Sequence, residues 1–110
     1  MKVAVIGTGY WGIKHVEEYV ELGHDVVICD LNEKNISICK EKFNSITTQS
    51  LESILSDKNI PCVSICTPNH THFEITRKCL ESGKHIFLEK PISTNLIDAE
   101  KLIEISNNKK

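Results

Sequence analysis

The sequence predicts an α/β fold in which helices cover both faces of a parallel sheet. Short apolar runs alternate with segments of helical periodicity along the chain. The runs are continuously apolar, as expected of strands that are buried on both faces and joined by right-handed crossovers. A glycine-rich stretch, Gly7-Thr8-Gly9-Tyr10-Trp11-Gly12, separates the first run from the first helical segment. Together these features predict a Rossmann-type, doubly wound sheet with the strand order 3-2-1-4-5.

Each predicted strand is followed by a predicted helix. The strands comprise residues 3–6, 26–29, 45–47, 62–66 and 85–88. The helices begin near Tyr10, at the N-caps Asn32 and Ser50, at a Thr71-x-x-Glu74 capping box, and at Thr94 or Asn95. The first helix should end at Gly23 and turn Val16 and Val20 towards the sheet.

The glycine-rich stretch has the pattern of the phosphate-binding turn of a dinucleotide-binding βαβ unit. Gly7 would allow the tight turn, Gly9 would let backbone N–H groups approach a pyrophosphate, and Gly12 would let the helix pack on the sheet. The anion would then lie at the helix N-terminus, where free N–H groups and the macrodipole favour negative charge. The alternative is a tight loop without a ligand.

An acidic residue at the end of the second strand favours the dinucleotide interpretation. Asp30 follows Gly12 by 18 residues, where a carboxylate is expected to hydrogen-bond the adenosine ribose hydroxyls. A 2′-phosphate would be repelled there and usually needs a guanidinium group, yet the chain has only Arg77, far along the sequence. The sequence therefore predicts NAD as the cofactor, with NADP disfavoured and Lys34 as the one nearby cation that could soften this preference.

The composition of the chain argues against several other classes of protein. The 110 residues, with 40% hydrophobic and 25% charged residues and a net charge of −2, predict a single globular domain, 1–110. No basic face indicates nucleic acid, no apolar run approaches the roughly 20 residues that cross a membrane, and no signal peptide is expected. Five cysteines without a C-x-x-C pair predict neither disulfides nor a metal site, so Cys62 and Cys66 are interpreted as buried and the protein as cytoplasmic.

Two further segments should lie at the ligand, because they follow the fourth and fifth strands at the carboxyl edge of the sheet. They are Thr67-Pro68-Asn69-His70-Thr71-His72 and Glu89-Lys90-Pro91. With the glycine turn and Asp30, they resemble the nucleotide-binding domain of the glucose-fructose oxidoreductase and inositol dehydrogenase family, often written Gfo/Idh/MocA. The resemblance covers essentially the whole chain, and Glu-Lys-Pro is its most specific element.

The resemblance implies the roles of the site residues. The residues expected at the cofactor are Gly7, Thr8, Gly9, Tyr10, Trp11, Gly12, Asp30, Thr67, Pro68, Asn69, His72 and Glu89. Lys90 would be the catalytic residue that shuttles the hydroxyl proton near the nicotinamide, and desolvation would lower its pKa towards working pH. The alternatives are a solvated strand-end lysine for Lys90, and packing at the helix start or on a second domain for Tyr10 and Trp11.

The leading hypothesis, implied by this resemblance, is an NAD-dependent oxidoreductase that acts on a secondary hydroxyl of a sugar, nucleotide sugar or cyclitol. The alternative is a non-catalytic dinucleotide-binding module with a redox-sensing role, which the short chain favours and which the intact Glu89 and Lys90 disfavour. Family members carry a second, substrate-binding domain that we expect to be absent here, whether the chain is a fragment, as we prefer, or a natural single domain. Apolar surface left exposed in this way would favour self-association.

Overall fold

The computed structural model describes residues 2–43, 46–48, 50–88 and 96–108. The strands are β1 (Lys2–Ile6), β2 (Asp25–Cys29), β3 (Ile46–Thr48), β4 (Cys62–Ile65) and β5 (His85–Leu88). The helices are α1 (Tyr10–Glu21), α2 (Glu33–Lys42), α3 (Leu51–Ser56), α4 (His72–Glu81) and α5 (Leu96–Asn108), with a short 3-10 turn, Asn69–Thr71, before α4.

The five strands form one parallel sheet in the order β3-β2-β1-β4-β5, as predicted. The central strand is β1, in which Ala4 is paired with Val27 of β2 on one side and Val63 of β4 on the other. The chain therefore runs outward from β1 through β2 to β3 and then crosses back to β4. This reversal places the carboxyl ends of β1 and β4 side by side, which is where open α/β sheets bind ligands.

Alternate residues of β1 feed two hydrophobic clusters, one on each face of the sheet. Ala4 and Ile6 belong to the cluster that includes Ile54 of α3 and Cys79 of α4. Val5 belongs to the other cluster, with Val16 of α1, and with Ile36 and Cys39 of α2. Because both faces of the strand are buried, successive positions are apolar, and this explains the continuous runs in the sequence.

Two helices end at glycines, as predicted for Gly23. Gly23 has a φ of 85° and donates its N–H to Val20, while the N–H of His24 reaches back to the carbonyl of Tyr19. Gly83, with a φ of 79°, closes α4 in the same way. These paired bonds are those of a Schellman motif, which satisfies the last carbonyls of a helix and favours glycine for its positive φ.

The start of α4 differs from the prediction, and the capping box was wrong. The Thr71 side chain does not cap the helix, because its hydroxyl lies 2.7 Å from the Pro68 carbonyl and 2.6 Å from the Thr67 hydroxyl. Glu74 instead accepts a hydrogen bond from Arg77 at 2.9 Å. The 3-10 turn before α4 directs the Thr71 side chain back towards the preceding segment.

Three smaller predictions also differ from the structure. Val20 is 43% exposed, because Gly12 and Val16 are the buried residues of α1. Strand β4 ends at Ile65, and both Cys62 and Cys66 are half-buried rather than fully buried. The third strand ends one residue later than predicted, and its predicted first residue, Ser45, lies outside the described residues, as do the predicted caps Thr94 and Asn95.

Candidate functional site

A cleft of about 650 Å³ opens at the carboxyl edge of the sheet. Three segments surround it: the turn between β1 and α1, the turn between β2 and α2, and the segment after β4. Its lining residues are Ile6, Gly7, Thr8, Gly9, Cys29, Asp30, Leu31, Asn32, Asn35, Leu51, Cys66, Thr67, Pro68, Thr71 and Ile75. The cleft therefore lies at the crossover point that the strand order predicts, and it contains six of the residues proposed from sequence to contact a cofactor.

The three glycines of the β1–α1 turn meet different spatial requirements. A Cβ on Gly7, whose φ is 90°, would lie 2.8 Å from the Thr67 backbone nitrogen. A Cβ on Gly12 would lie 1.8 Å from the Gly7 carbonyl oxygen, so a side chain there would separate the helix from the turn. Around Gly9, no atom of the described residues other than its chain neighbours lies within 4 Å of the Cβ position. Gly7 and Gly12 are thus needed for close backbone packing, whereas the space beside Gly9 is open to a ligand.

The N-terminus of α1 is not capped by the protein. Its N-cap is Gly9, which has no side chain, and the first turn carries no acidic residue. The first helical hydrogen bond runs from the Ile13 N–H to the Gly9 carbonyl, at 3.0 Å. Within the described part of the chain, the N–H groups of residues 10–12 donate no hydrogen bond. These donors and the positive end of the helix dipole form an anion-binding arrangement beside the cleft.

Asp30 faces the same cleft from the end of β2 and is held by four hydrogen bonds. Its Oδ2 accepts from the Thr8 N–H at 2.7 Å, the Thr8 hydroxyl at 2.9 Å and the Asn35 amide at 3.0 Å. Its Oδ1 accepts from the Asn32 N–H at 2.8 Å. Burial by itself would raise the pKa of Asp30, but these donors outweigh it and lower the pKa below its ordinary value. The carboxylate is therefore ionised at neutral pH.

The single arginine of the chain lies away from this carboxylate. Arg77 is on α4, where its guanidinium group is paired with Glu74 at 2.9 Å and Glu81 at 2.6 Å. Lys34, in the first turn of α2, is exposed and follows the cap residue Asn32. The charge at the β2 end of the cleft is thus set by Asp30.

The segment after β4 forms the opposite wall of the cleft, through Thr67, Pro68 and Thr71. His72 is 1% exposed and lies behind this wall, with its Nε2 2.8 Å from the Thr67 carbonyl oxygen. It is not among the described residues that line the cleft, so the structure places it as a support for the segment. The backbone of Asn69 lies in the 3-10 turn, and its side chain is outside the described set.

Tyr10 and Trp11 stand at the start of α1 with 71% and 59% of their surface exposed. Their rings meet edge to face, with centroids 5.0 Å apart, and the Lys14 ammonium lies 4.9 Å from the Tyr10 ring centroid. Neither ring enters the core, so contact with the cofactor, packing at the helix start and packing on a second domain all remain predictions for these two residues. Glu89 and Lys90 lie outside the described residues, and their proposed roles remain predictions.

Sequence reasoning missed several residues of the site. Asn35 binds Asp30, and three apolar side chains, Leu31, Leu51 and Ile75, form walls of the cleft. A signal existed for Asn35, because it follows the N-cap Asn32 by three residues and so lies on the same side of the first helical turn as the cap. Leu51 and Ile75 gave no such signal, since each fits the apolar periodicity of its own helix.

Within residues 2–43, 46–48, 50–88 and 96–108, no group of three or more His, Cys, Asp or Glu side chains could hold a metal ion. In the same residues, no helix is both long and apolar enough to cross a membrane. None of the five cysteines, all of which the structure describes, forms a disulfide bond.

Comparison with known proteins assigns the chain to a family. Residues 1–110 match the model of an oxidoreductase family with an NAD-binding Rossmann fold. The chain is 32% identical over 107 residues to myo-inositol 2-dehydrogenase of Thermotoga maritima, a match that covers 94% of this chain and 32% of that protein.

Two solved structures illustrate the likeness of the fold. GenD2 from gentamicin A biosynthesis, in complex with NAD, matches with a TM-score of 0.92 and 25% identity over 99% of this chain and 32% of its own. Biliverdin reductase from Synechocystis, in complex with biliverdin and NADP+, matches with a TM-score of 0.91 and 27% identity over 98% of this chain and 35% of its own. The chain spans about a third of the length of these proteins. Because the family match extends over residues 1–110, the chain belongs to this oxidoreductase family as an NAD-binding Rossmann domain, and the resemblance indicated by its motifs is confirmed.

Proposed function

We propose that the chain is the cofactor-binding part of an NAD-dependent dehydrogenase that oxidises a secondary hydroxyl of a sugar, nucleotide sugar or cyclitol. One observation carries this proposal: the uncapped N-terminus of α1 and the ionised Asp30 open onto a single cleft. A dinucleotide has a pyrophosphate for the first and a ribose diol for the second. The relationship to myo-inositol 2-dehydrogenase supports the substrate class.

The cleft suggests how each part of the cofactor would be held. The pyrophosphate would accept hydrogen bonds from the free N–H groups at the start of α1, in the open space beside Gly9. The adenosine ribose would bind at Asp30, and the adenine ring would lie against the apolar side chains Leu31, Leu51 and Ile75. Thr67 and Pro68 would line the path towards the nicotinamide, supported from behind by His72.

The preference for NAD over NADP would come from Asp30 itself. The fold does not decide the choice, since one similar structure holds NAD and another holds NADP+. An ionised carboxylate at the ribose would repel a 2′-phosphate, and Arg77 is engaged on the outside of α4. Lys34 offers one exposed ammonium, which binds phosphate less specifically than a guanidinium fork.

NAD, when bound, supplies the hydride acceptor. The chain's own contribution to proton transfer would come from Lys90, which by family resemblance accepts the proton of the substrate hydroxyl once desolvation has lowered its pKa. The substrate pocket would be completed by a further domain, as the greater length of the relatives suggests. We also propose a cytoplasmic location, in keeping with five cysteines of which none is in a disulfide bond in the described structure. Self-association is proposed through the face of β5 that leaves Phe87 57% exposed.

Binding and turnover measurements test this proposal separately. Titration of the 110-residue chain with NADH and NADPH, followed by fluorescence, should give tighter binding of NADH. Incubation with NAD and a panel of sugars, nucleotide sugars and inositols should give no turnover, because substrate positioning can supply roughly 7–11 kcal/mol of a barrier and the further domain proposed above would provide that positioning. Failure to bind either dinucleotide would refute the proposal. Steady turnover that is lost in Lys90→Ala would show instead that the single domain is a complete enzyme.

A further inference from the structure

The two oxygen atoms of the Asp30 carboxylate have unequal capacity for a further hydrogen bond. Oδ2 accepts three: two from Thr8 and one from the Asn35 amide. Oδ1 accepts one, from the Asn32 N–H. Since a carboxylate oxygen offers about two lone-pair positions, Oδ2 is fully used and Oδ1 retains one position. A ribose hydroxyl that donates to Asp30 therefore has Oδ1 as its acceptor.

The orientation of this carboxylate is fixed by a closed ring of hydrogen bonds. The Asn32 N–H binds Asp30 Oδ1, the Asn32 side chain accepts from the Asn35 N–H at 3.2 Å, and the Asn35 amide returns to Asp30 Oδ2. The ring passes through the first turn of α2, so rotation of the Asp30 carboxylate would break hydrogen bonds at both Oδ1 and Oδ2. On the other side, Thr8 is fully buried and holds Oδ2 with two donors.

We propose that Asn35 is a positioning residue for cofactor binding: by holding Oδ2 in this ring, it presents Oδ1 of Asp30 to the 2′-hydroxyl of the adenosine ribose. The inference rests on the proposed function, since it assumes that the cleft binds NAD. It also assigns the Thr8 N–H to Asp30 rather than to the pyrophosphate, which leaves the donors at the start of α1 for that group.

The effect of an Asn35 substitution on NAD affinity should depend on the ribose hydroxyl that donates to Asp30. The test measures the dissociation constants of NAD and of an NAD analogue that lacks the adenosine 2′-hydroxyl. The proteins are the wild-type chain, Asn35→Ala, the isosteric Asn35→Asp and the control Asn107→Ala, a substitution at an exposed position of α5. Circular dichroism checks that each variant is folded.

We expect Asn35→Ala to bind NAD on the order of tenfold more weakly, as for the loss of one hydrogen bond to a charged group. Asn35→Asp should lose more, because a second carboxylate would replace the donor beside Asp30. With the analogue, all four proteins should bind within about twofold of one another, since the contact that Asn35 supports is missing.

Two results would overturn the inference while leaving the proposed function intact. The first is equal weakening of NAD and analogue binding in the Asn35 variants, which would indicate a general structural role. The second is unchanged NAD binding in both variants. If the wild-type chain binds neither ligand, the proposed function fails and the inference fails with it. If Asn35→Ala does not fold, Asn35→Asp gives the same comparison.

Discussion

The turns after β1 and β2 lie side by side at the same edge of the sheet and treat their hydrogen-bond donors in opposite ways. In the turn after β1, the helix begins at Gly9 without a side-chain cap. In the turn after β2, Asn32 caps α2 through the N–H groups of Lys34 and Asn35, and both Asn32 and Asn35 donate hydrogen bonds to Asp30. The start of α1 thus has N–H groups that no described residue caps, whereas the β2–α2 turn uses its donors to hold the Asp30 carboxylate.

This difference in hydrogen bonding indicates a separate role for each turn. An N-cap side chain stabilises a helix by about 1 kcal/mol, so α1 is less stable without one. The loss is limited because water can bind the N–H groups of an exposed helix end. The β2–α2 turn has no such deficit, because Asn32 caps α2 and the Asp30 carboxylate accepts from Thr8, Asn32 and Asn35. On the proposed function, the pyrophosphate would bind at the free donors of the first turn, and the second turn would hold Asp30 in place for the ribose.

The largest expected effect follows from closing the open turn. Gly9→Val should abolish dinucleotide binding, a loss of at least about a hundredfold, because the side chain would fill the approach to the free N–H groups. The domain should stay folded, since Gly9 has a φ of −73° and no described residue beyond its chain neighbours comes within 4 Å of its Cβ position. Titration with NADH and thermal melting test the two halves. Unchanged affinity in the folded variant would show that the anion binds elsewhere.

A substitution three residues later should damage the fold instead. Gly12→Ala would place a Cβ 1.8 Å from the Gly7 carbonyl oxygen, so the backbone of α1 or of the turn must shift. We expect the free energy of unfolding to fall by roughly 3 kcal/mol or more, beyond the usual effect of overpacking. Chemical denaturation measures this loss, and Gly9→Ala is the matched control with no expected change in stability. Equal stability of the two variants would contradict the close packing of α1 on the turn.

The role of the Asp30 carboxylate in the β2–α2 turn is tested by removing it. Asp30→Ala should weaken NADH binding by roughly ten- to a hundredfold, as for lost hydrogen bonds to a charged group. It should also reduce the difference in affinity between NADH and NADPH. Titration of both cofactors against both proteins gives the ratio directly. A gap of unchanged size in the variant would show that another residue excludes the 2′-phosphate.

The same carboxylate predicts a pH dependence. The folded-state pKa of Asp30 is lowered from its ordinary value of 3.8, because its four donors outweigh burial. Its contribution to stability is therefore fully present above 3.8 and is lost as the pH falls from there through the lower folded-state value. Denaturation curves from pH 7 to pH 2 should show a smaller acid loss in Asp30→Ala than in the wild type. A wild-type protein that becomes more stable relative to Asp30→Ala as the pH falls would reverse the sign of this argument.

The sequence predicted the fold and the placement of the two turns better than it predicted their contacts. Strand order and helix ends follow from local signals: apolar runs, the Asn32 cap and the glycines that end α1 and α4. The role of Thr71 was mispredicted because Thr71 is the last residue of a 3-10 turn, which changes the direction of its side chain. The bond between Thr8 and Asp30 joins residues 22 positions apart, and no local pattern in the sequence specifies it.

The smallest expected effect separates the capping role of Asn32 from its place beside Asp30. Asn32→Ala removes the acceptor for two N–H groups of α2, and Ser50→Ala removes the corresponding acceptor from α3. Each should lower the free energy of unfolding by about 1 kcal/mol, the usual worth of an N-cap side chain. Only Asn32→Ala should also weaken NADH binding, by about two- to fivefold, because its cap holds the turn that carries Asn35, and hydrogen bonds of this kind are worth about 1 kcal/mol. Melting and titration of the two variants give the comparison. Equal NADH affinity in both would mean that Thr8 fixes Asp30 without help from α2, and an equal loss in both would mean that stability alone governs binding.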